Sequence, residues 1–298
     1  MKVAAVVVRW RGGNEVDRCL RSLLDHGGSR LARVMLVDSG SGDGGAERLA
    51  AAFSDIEVFA LDENRSFAHA ANAAVSAASE ELILLLNPDT EVLQGAIATL
   101  IAALERRPTA AGVVPQLLNP DGTSQHRWQL RQLPTVFRLA TGLSGAPTFS
   151  RPPERDSRVE QPAAAAWLVR RDVWQALDGF DEAFAPAWWE DVDFCARLLA
   201  RLADREFPER EGFVVVPGAR IFHHGGSSVS QLEDAAFLTA YHRNLLRYAA
   251  RHRPEHLEII ARALRFSLSF KALLRPTRRQ AYITTSRKIA LKATTSAG

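Results

Sequence analysis

The stretch Leu82-Ile83-Leu84-Leu85-Leu86-Asn87-Pro88-Asp89-Thr90 sets the fold class of this 298-residue chain. Five consecutive branched apolar residues, bounded by turn formers, read as a strand buried on both faces, the kind found inside an α/β sheet. Asn87-Pro88 would turn the chain sharply and leave Asp89 at the carboxyl end of that strand, where open α/β sheets hold their ligands. About a hundred residues on, Trp188-Trp189-Glu190-Asp191-Val192-Asp193-Phe194-Cys195-Ala196-Arg197-Leu198 brings three carboxylates to the start of an amphipathic helix. Acids concentrated in this way point to a bound cation, a general base, or both.

The surrounding sequence extends the pattern. Runs rich in Val, Ile and Leu recur at residues 3–8, 34–37, 56–61, 82–86 and 112–118, mostly separated by segments of helical period. That alternation predicts βαβ units and a mostly parallel central sheet flanked by helices. Val16, Leu20, Leu23 and Leu24 mark one helix, and Leu93, Ile97, Leu100, Ile101 and Leu104 another that Pro108 ends; both stripes are core. The alanine-rich residues 67–78 suit a helix packed closely on the sheet. Between 119 and 162 periodicity fades and Pro, Arg, Ser and Gly dominate, as in a long loop region. The last fifty residues return to a helical pattern with Ile259, Ile260, Leu264, Phe266, Leu268, Phe270, Leu273 and Leu274, interrupted by Arg262, Arg265 and Lys271. Charges at those intervals argue against a membrane span and allow a helix lying on a surface.

Composition excludes several classes. With 47% hydrophobic residues the chain can bury one large core or two smaller ones. Cys19 and Cys195 are its two cysteines and lie far apart, which excludes a disulfide framework and suits a reducing, cytoplasmic compartment. The first apolar run stops at Arg9, short of the ~7–15 residues of a signal-peptide core, and reads as a first strand. The formal net charge of +3 hides an asymmetry: from Arg251 onward eleven Lys and Arg face only Glu255 and Glu258, so a +9 tail follows a −6 body.

Each motif has an ordinary alternative. Asp89 suits a hard cation, which prefers oxygen ligands, yet Asn119-Pro120-Asp121-Gly122 repeats the tripeptide as a plain turn. Glu190, Asp191 and Asp193 would favour a helix N-terminus electrostatically with no function at all. Trp188-Trp189 beside them could wall a pocket, where desolvation would raise a carboxylate towards the range of a useful base. His223, in a loop after a strand, is a candidate metal ligand or phosphate partner. Asp38 ends the second strand before Ser39-Gly40-Ser41-Gly42-Asp43-Gly44-Gly45. Gly40, Gly42 and Gly45 fit a dinucleotide fingerprint, so an NAD-dependent oxidoreductase is the rival reading. The fingerprint belongs after the first strand of its unit, however, and here a complete βα unit precedes it.

Taken together, these residues resemble the family 2 glycosyltransferases, with the GT-A nucleotide-sugar fold, and especially their rhamnosyltransferase-like branch. The resemblance runs over roughly residues 3–250 through Val37-Asp38-Ser39-Gly40-Ser41-Gly42-Asp43-Gly44, Asn64-Arg65-Ser66-Phe67-Ala68-His69-Ala70-Ala71-Asn72, Leu86–Asp89, Gly179-Phe180-Asp181-Glu182, Glu190–Arg197, and His223 with Ser228. It implies a nucleotide-sugar site containing Arg9, Asp38, Ser39, Asn64, Phe67, Asn72, Asn87 and Asp89, and Mg2+ or Mn2+ held by Asp89 and His223. It implies Asp191, with Glu190 as the other candidate, as the base that deprotonates an acceptor hydroxyl and gives inversion. Gly179, Phe180, Asp181, Trp188 and Trp189 would form the acceptor side. Residues 1–230 would be the catalytic domain, with a nucleotide-sugar half at 1–118 and an acceptor half at 119–230, and 231–298 a basic helical extension. The expected partners are a nucleotide sugar and a saccharide or lipid-linked acceptor, with no nucleic acid and with peripheral contact through the basic tail at the inner membrane face. The chain departs from the family pattern at Arg9-Trp10-Arg11, Ser39, Ser66 and Ala70. These residues crowd or recharge the nucleotide pocket, which leaves room for a non-catalytic nucleotide-binding descendant, and Arg9 and Arg11 could grip phosphate directly.

Overall fold

A computed structural model describes residues 1–207, 209–225 and 234–293, with backbone alone at 290–293; Ser228 lies outside the described residues. In chain order the elements are β1 (Val3–Arg9), α1 (Asn14–His26), β2 (Leu31–Asp38), α2 (Gly45–Ala52), β3 (Glu57–Ala60), α3 (Phe67–Ala77), β4 (Leu82–Leu86), β5 (Thr90–Val92), α4 (Ala96–Arg106) and β6 (Ala110–Leu118). There follow α5 (His126–Gln129), β7 (Leu130–Arg131), α6 (Val136–Ala140), β8 (Ser157–Val159), β9 (Gln161–Pro162), β10 (Ala166–Arg170), α7 (Arg171–Ala176), α8 (Glu190–Ala203), β11 (Glu211–His223), α9 (Asp234–His252), α10 (Leu257–Leu274) and α11 (Arg279–Ala293).

The main sheet runs β3-β2-β1-β4-β10-β6-β11-β5, with β8 on β11. Its first four strands are parallel. Beyond them it is mixed rather than mostly parallel: β10 runs antiparallel to both β4 and β6, and β11 is parallel to β6 but antiparallel to β5. The reason is the connection: β10 returns from the 119–162 segment instead of through a crossover helix, so it enters the sheet between β4 and β6 from the opposite end of the strands. That segment is also more ordered than its composition predicts, since it holds α5, α6 and the β7–β9 ribbon.

β4 is buried along its whole length. Each of its side chains contributes at most about 1.5–3 kcal/mol of apolar burial, and a charge at Leu84 would abolish that locally. One core lies between the sheet and the predicted stripes of α1 and α4, including Leu20, Leu23, Ile97, Leu100 and Leu104. The other face carries α3, whose Ala70, Ala71 and Ala74 allow close approach, together with α7 and α8. The Ser66 hydroxyl caps α3 by accepting from His69 N at 2.9 Å. A third cluster joins α9, α10 and α11 to Leu139, Phe184, Trp189 and Val192.

Candidate active site

Arg9 and Asp38 are register partners at the carboxyl ends of the parallel strands β1 and β2. Arg9 is 1% exposed. Its Nη1 donates to Asp38 Oδ2, and its Nη2 donates to Asp43 Oδ2 at 2.7 Å. The other Asp38 oxygen accepts from Ser41 N at 2.7 Å, while Ser39 N donates to Arg9 O and Ser39 Oγ to Asn64 Oδ1. A guanidinium committed to two carboxylates is not available to grip phosphate, which corrects that expectation for Arg9; Arg11 stays exposed. The dinucleotide reading also fails here. A Cβ at Gly45 would sit 2.5 Å from the Arg9 guanidinium, and Gly45 N already donates to Asp43 Oδ1 at 2.9 Å. The loop presents a carboxylate where a pyrophosphate would need donors.

Asp89 lies in the turn between β4 and β5. Pairing of β5 with β11 sets Thr90 opposite His223, so residues far apart in sequence meet, with His223 Nε2 3.5 Å from Asp89 Oδ1. The imidazole tautomer follows from its neighbours. The Gln125 amide nitrogen donates to Asn119 Oδ1 at 2.8 Å and to His223 O at 2.7 Å, which turns Gln125 Oε1 towards His223 Nδ1 at 2.9 Å. Nδ1 therefore carries the proton and donates, leaving the Nε2 lone pair towards the carboxylate. Burial lowers the His223 pKa despite the opposing effect of Asp89, which keeps the ring neutral. A neutral imidazole lone pair facing a carboxylate oxygen is a donor set that would suit a divalent cation. No cluster of three or more His, Cys, Asp or Glu that could hold a metal occurs among the described residues, so the protein would supply a partial shell. Trp128 stacks on the His223 ring at 5.0 Å and 16°.

Asp191 sits in the first turn of α8. Its Oδ2 accepts from Gln161 Nε2 at 3.1 Å and from Ala164 N at 3.3 Å, and Arg131 Nη2 is 4.0 Å away. The same 163–165 loop ties to the other side of the site, because Ala165 O accepts from Asn87 N at 2.9 Å. One loop thus spans from the turn holding Asp89 to the carboxylate of Asp191. Burial raises the Asp191 pKa and Arg131 partly offsets it. Glu190 is pushed well above the usual carboxylate range, first by burial and then by the charge of Asp191. Its Oε2 is buried with no hydrogen-bond partner among the described residues. The pair is arranged so that Asp191 ionises first and Glu190 holds the proton. Asp193 is different: burial would raise its pKa, but His252 and Arg197, bonded at 2.8 and 2.7 Å, with Arg251 nearby, hold it low.

Several residues expected to face a ligand are engaged in packing or hydrogen bonds, and Asn72, Gly179, Phe180 and Asp181 also line an open cavity. Asn72 brackets the backbone of Phe180, donating to its O at 2.8 Å and accepting from its N at 3.0 Å. Phe180 is 1% exposed within an aromatic cluster with Trp167, Trp174 and Phe194, and Gly179 (φ +62°) has no room for a Cβ beside Asn72. Asp181 caps a short 3-10 helix and pairs with Arg251. Trp189 packs against Tyr241 and Tyr248 of α9, and Trp188 against Phe237 at 4.7 Å. Trp189 is buried against these helices, whereas Trp188 is half-buried, and both residues have positive φ (72° and 81°). Asn64 is exposed beside Ser39, and Phe67 donates its N–H to Pro186 O at 2.9 Å.

Sequence reasoning missed Gln125, Trp128, Arg131 and Gln161, all inside the segment read as loop, and it missed Asn244. Asn244 is fully buried on α9, and its amide nitrogen lies within 3.0, 2.9 and 3.1 Å of the carbonyls of Phe184, Ala187 and Trp188. A polar residue on the buried phase of an apolar helix was the available signal.

A sequence profile described as Glycosyl transferase family 2 matches residues 5–176, more than half of the chain. An N-acetylglucosaminyl-diphospho-decaprenol L-rhamnosyltransferase of Mycobacterium tuberculosis is 27% identical over 263 residues, 80% of this chain and 81% of the relative. An O-antigen biosynthesis protein, RfbC, of Myxococcus xanthus is 32% identical over 55% of this chain but only 12% of its own length. Among solved structures, GalNAc-T7 with UDP, GalNAc and Mn2+ superposes with a TM-score of 0.64 at 16% identity, covering 84% of this chain and 50% of that one. S. aureus TarS with UDP-GlcNAc superposes with a TM-score of 0.58 at 14% identity, covering 96% and 79%. At those identities the likeness speaks for the fold alone. The motifs at the sheet edge, the mixed α/β architecture and the profile match agree, and the chain belongs to glycosyl transferase family 2, whose members are glycosyltransferases.

Proposed function

We propose that this glycosyltransferase is metal-dependent and inverting, and that it moves rhamnose from a nucleoside-diphosphate sugar, dTDP-rhamnose, to a hydroxyl of a lipid-linked saccharide. The observation that carries the reading is the 3.5 Å approach of His223 Nε2 to Asp89 Oδ1, with one loop leading from that turn to Asp191. The sugar and the acceptor class rest on the similarity to the decaprenol-linked rhamnosyltransferase.

Asp89 and His223 would hold Mg2+ or Mn2+, which neutralises charge developing on the departing diphosphate. Asp38, Ser39 and Asn64 line the donor edge, and Arg9 keeps Asp38 oriented. Asp191 accepts the proton of the acceptor hydroxyl as that oxygen attacks the anomeric carbon from the face opposite the nucleotide, which inverts the configuration. Gln161 and the Ala164 N–H hold Oδ2 in place, so its in-plane direction is set before the acceptor arrives. Glu190, protonated and buried, keeps a second negative charge away from Asp191. Residues 1–230 would carry the chemistry, and 231–298 would support it and meet the membrane on which a lipid-linked acceptor resides. No described helix is long and apolar enough to cross a membrane.

Thermal shift with UDP, dTDP and GDP, each with Mn2+ or EDTA, tests the donor and the metal together. Stabilisation by dTDP that disappears with EDTA is expected. Stabilisation that ignores EDTA would remove the metal from the mechanism, and a preference for UDP or GDP would replace the donor.

A further inference from the structure

α10 is apolar on two opposite faces. Ile260, Leu264, Leu268 and Ala272 recur every four residues and are buried in the third core cluster. On the far side, Ile259, Phe266, Phe270, Leu273 and Leu274 are 63%, 76%, 52%, 71% and 64% exposed. This second stripe follows the helix for about 22 Å at ~1.5 Å per residue. A helix that is hydrophobic all round is normally buried all round, and an exposed apolar stripe of this length marks a partner. α6, joined to α10 through Ser267 Oγ and Lys271 Nζ donating to Thr141 O, carries Phe137, which is 74% exposed.

The charge around the stripe selects the partner. Between Ile259 and Gly298 the sequence contains no Asp or Glu and nine Lys and Arg. Arg262 and Arg265 flank the stripe, and Arg275, Arg278 and Arg279 are exposed just beyond its end. Glu258, paired with Arg262, and Asp234, 3.0 Å from Arg278, are the neighbouring acids. Large apolar and aromatic side chains ringed by arginines, on a helix too charged to span, match a helix lying in the headgroup boundary of an anionic bilayer.

We propose that the outer face of α10 is a membrane-docking surface: Phe266, Phe270, Leu273 and Leu274 enter the acyl boundary of an anionic lipid bilayer while the arginines at their flank and end contact its headgroups. This deepens the reading of a lipid-linked acceptor and depends on it for its purpose, although not for its test.

The test is co-sedimentation of the full chain with vesicles of phosphatidylglycerol and phosphatidylcholine, against phosphatidylcholine alone. Wild type should bind the anionic vesicles and release at high salt. Substituting Phe266→Ser, Phe270→Ser and Leu273→Ser together should weaken binding at least tenfold, and Arg265→Gln with Arg275→Gln and Arg279→Gln should erase the preference for anionic lipid. All six sites are exposed, and circular dichroism reports whether each variant stays folded. Wild type that does not sediment, or serine variants that sediment equally well, would overturn the proposal. So would a wild-type solution mass of twice the chain mass that falls to the monomer in the serine variant, since the stripe would then be a contact between copies. Donor turnover with a water-soluble acceptor should be equal in wild type and the serine variant. Its absence from both would count against the proposed reaction while leaving the sedimentation result to decide the surface.

Discussion

The loop after β2 and the loop before α8, which carry the proposed donor-side and base residues, are held by different means. The loop after β2 is fastened by its own neighbourhood: Arg9 on the adjacent strand binds Asp38 and Asp43, and the glycines of the loop accept the positive φ its turns require. The loop before α8 is fastened from a distance. Trp188 and Trp189 hold conformations costly for large side chains, and the amide of Asn244, more than fifty residues later, satisfies the carbonyls behind them. The proposed donor edge is thus a product of strand-end geometry, whereas the segment that delivers Glu190 and Asp191 is shaped by the C-terminal helices.

Four measurements would break or sharpen that contrast. The largest effect is expected at the base. Asp191→Asn should lower kcat by about 10²–10⁴ while donor affinity is kept. The proposed base acts deprotonated, so the rate should fall as pH drops through its raised pKa; Arg131→Gln should move that limb further up. An unchanged rate in Asp191→Asn would remove Asp191 from the chemistry.

Next comes Arg9→Met, which strands two carboxylates at the donor edge. A broken buried pair costs about 3–5 kcal/mol, read in urea unfolding, and donor KM should rise more than kcat falls. A variant as stable as wild type would mean that the β2 loop is not held by Arg9.

Asn244→Ala should cost about 1–3 kcal/mol for carbonyls left without a donor. It should lower kcat at unchanged donor affinity, and Asn244→Asp, which cannot donate, should behave alike. If donor affinity fell instead, the clamp would belong to the donor edge and the comparison would collapse.

The smallest effect concerns Glu190. Its folded-state pKa lies above its unfolded value, so the native state binds the extra proton, and stability from this group is present at low pH and lost as pH rises through the folded value. Glu190→Gln removes that loss. It should raise Tm at pH 8 relative to wild type and leave it nearly unchanged at pH 4; the opposite order would mean that Glu190 is charged in the folded protein.

The βα pattern, the buried β4, the turn at Asp89 and the acidic start of α8 were readable because each is written in local periodicity and turn chemistry. β10 was harder to orient, since an apolar run has no direction until its connection is known. Gln125, Trp128, Arg131 and Gln161 were hidden because short elements held by tertiary contacts carry little periodic signal. Trp189 was ambiguous for the converse reason: aromatic bulk next to acids looks alike whether it walls a cleft or, as Trp189 does, fills a core.

By itself, the sequence determined that βα units alternate along the first part of the chain, which carboxylates end on strands or open a helix, and that the tail is basic, because side-chain period and charge act over a few residues. Tertiary structure alone decided that His223 meets Asp89, that Arg9 is spent on two carboxylates, that Asn244 holds the loop ahead of Glu190 and Asp191, and that α10 keeps an apolar face in the open. Those outcomes depend on strand register and helix packing between distant parts of the chain, where burial and hydrogen-bond satisfaction are settled by the whole fold.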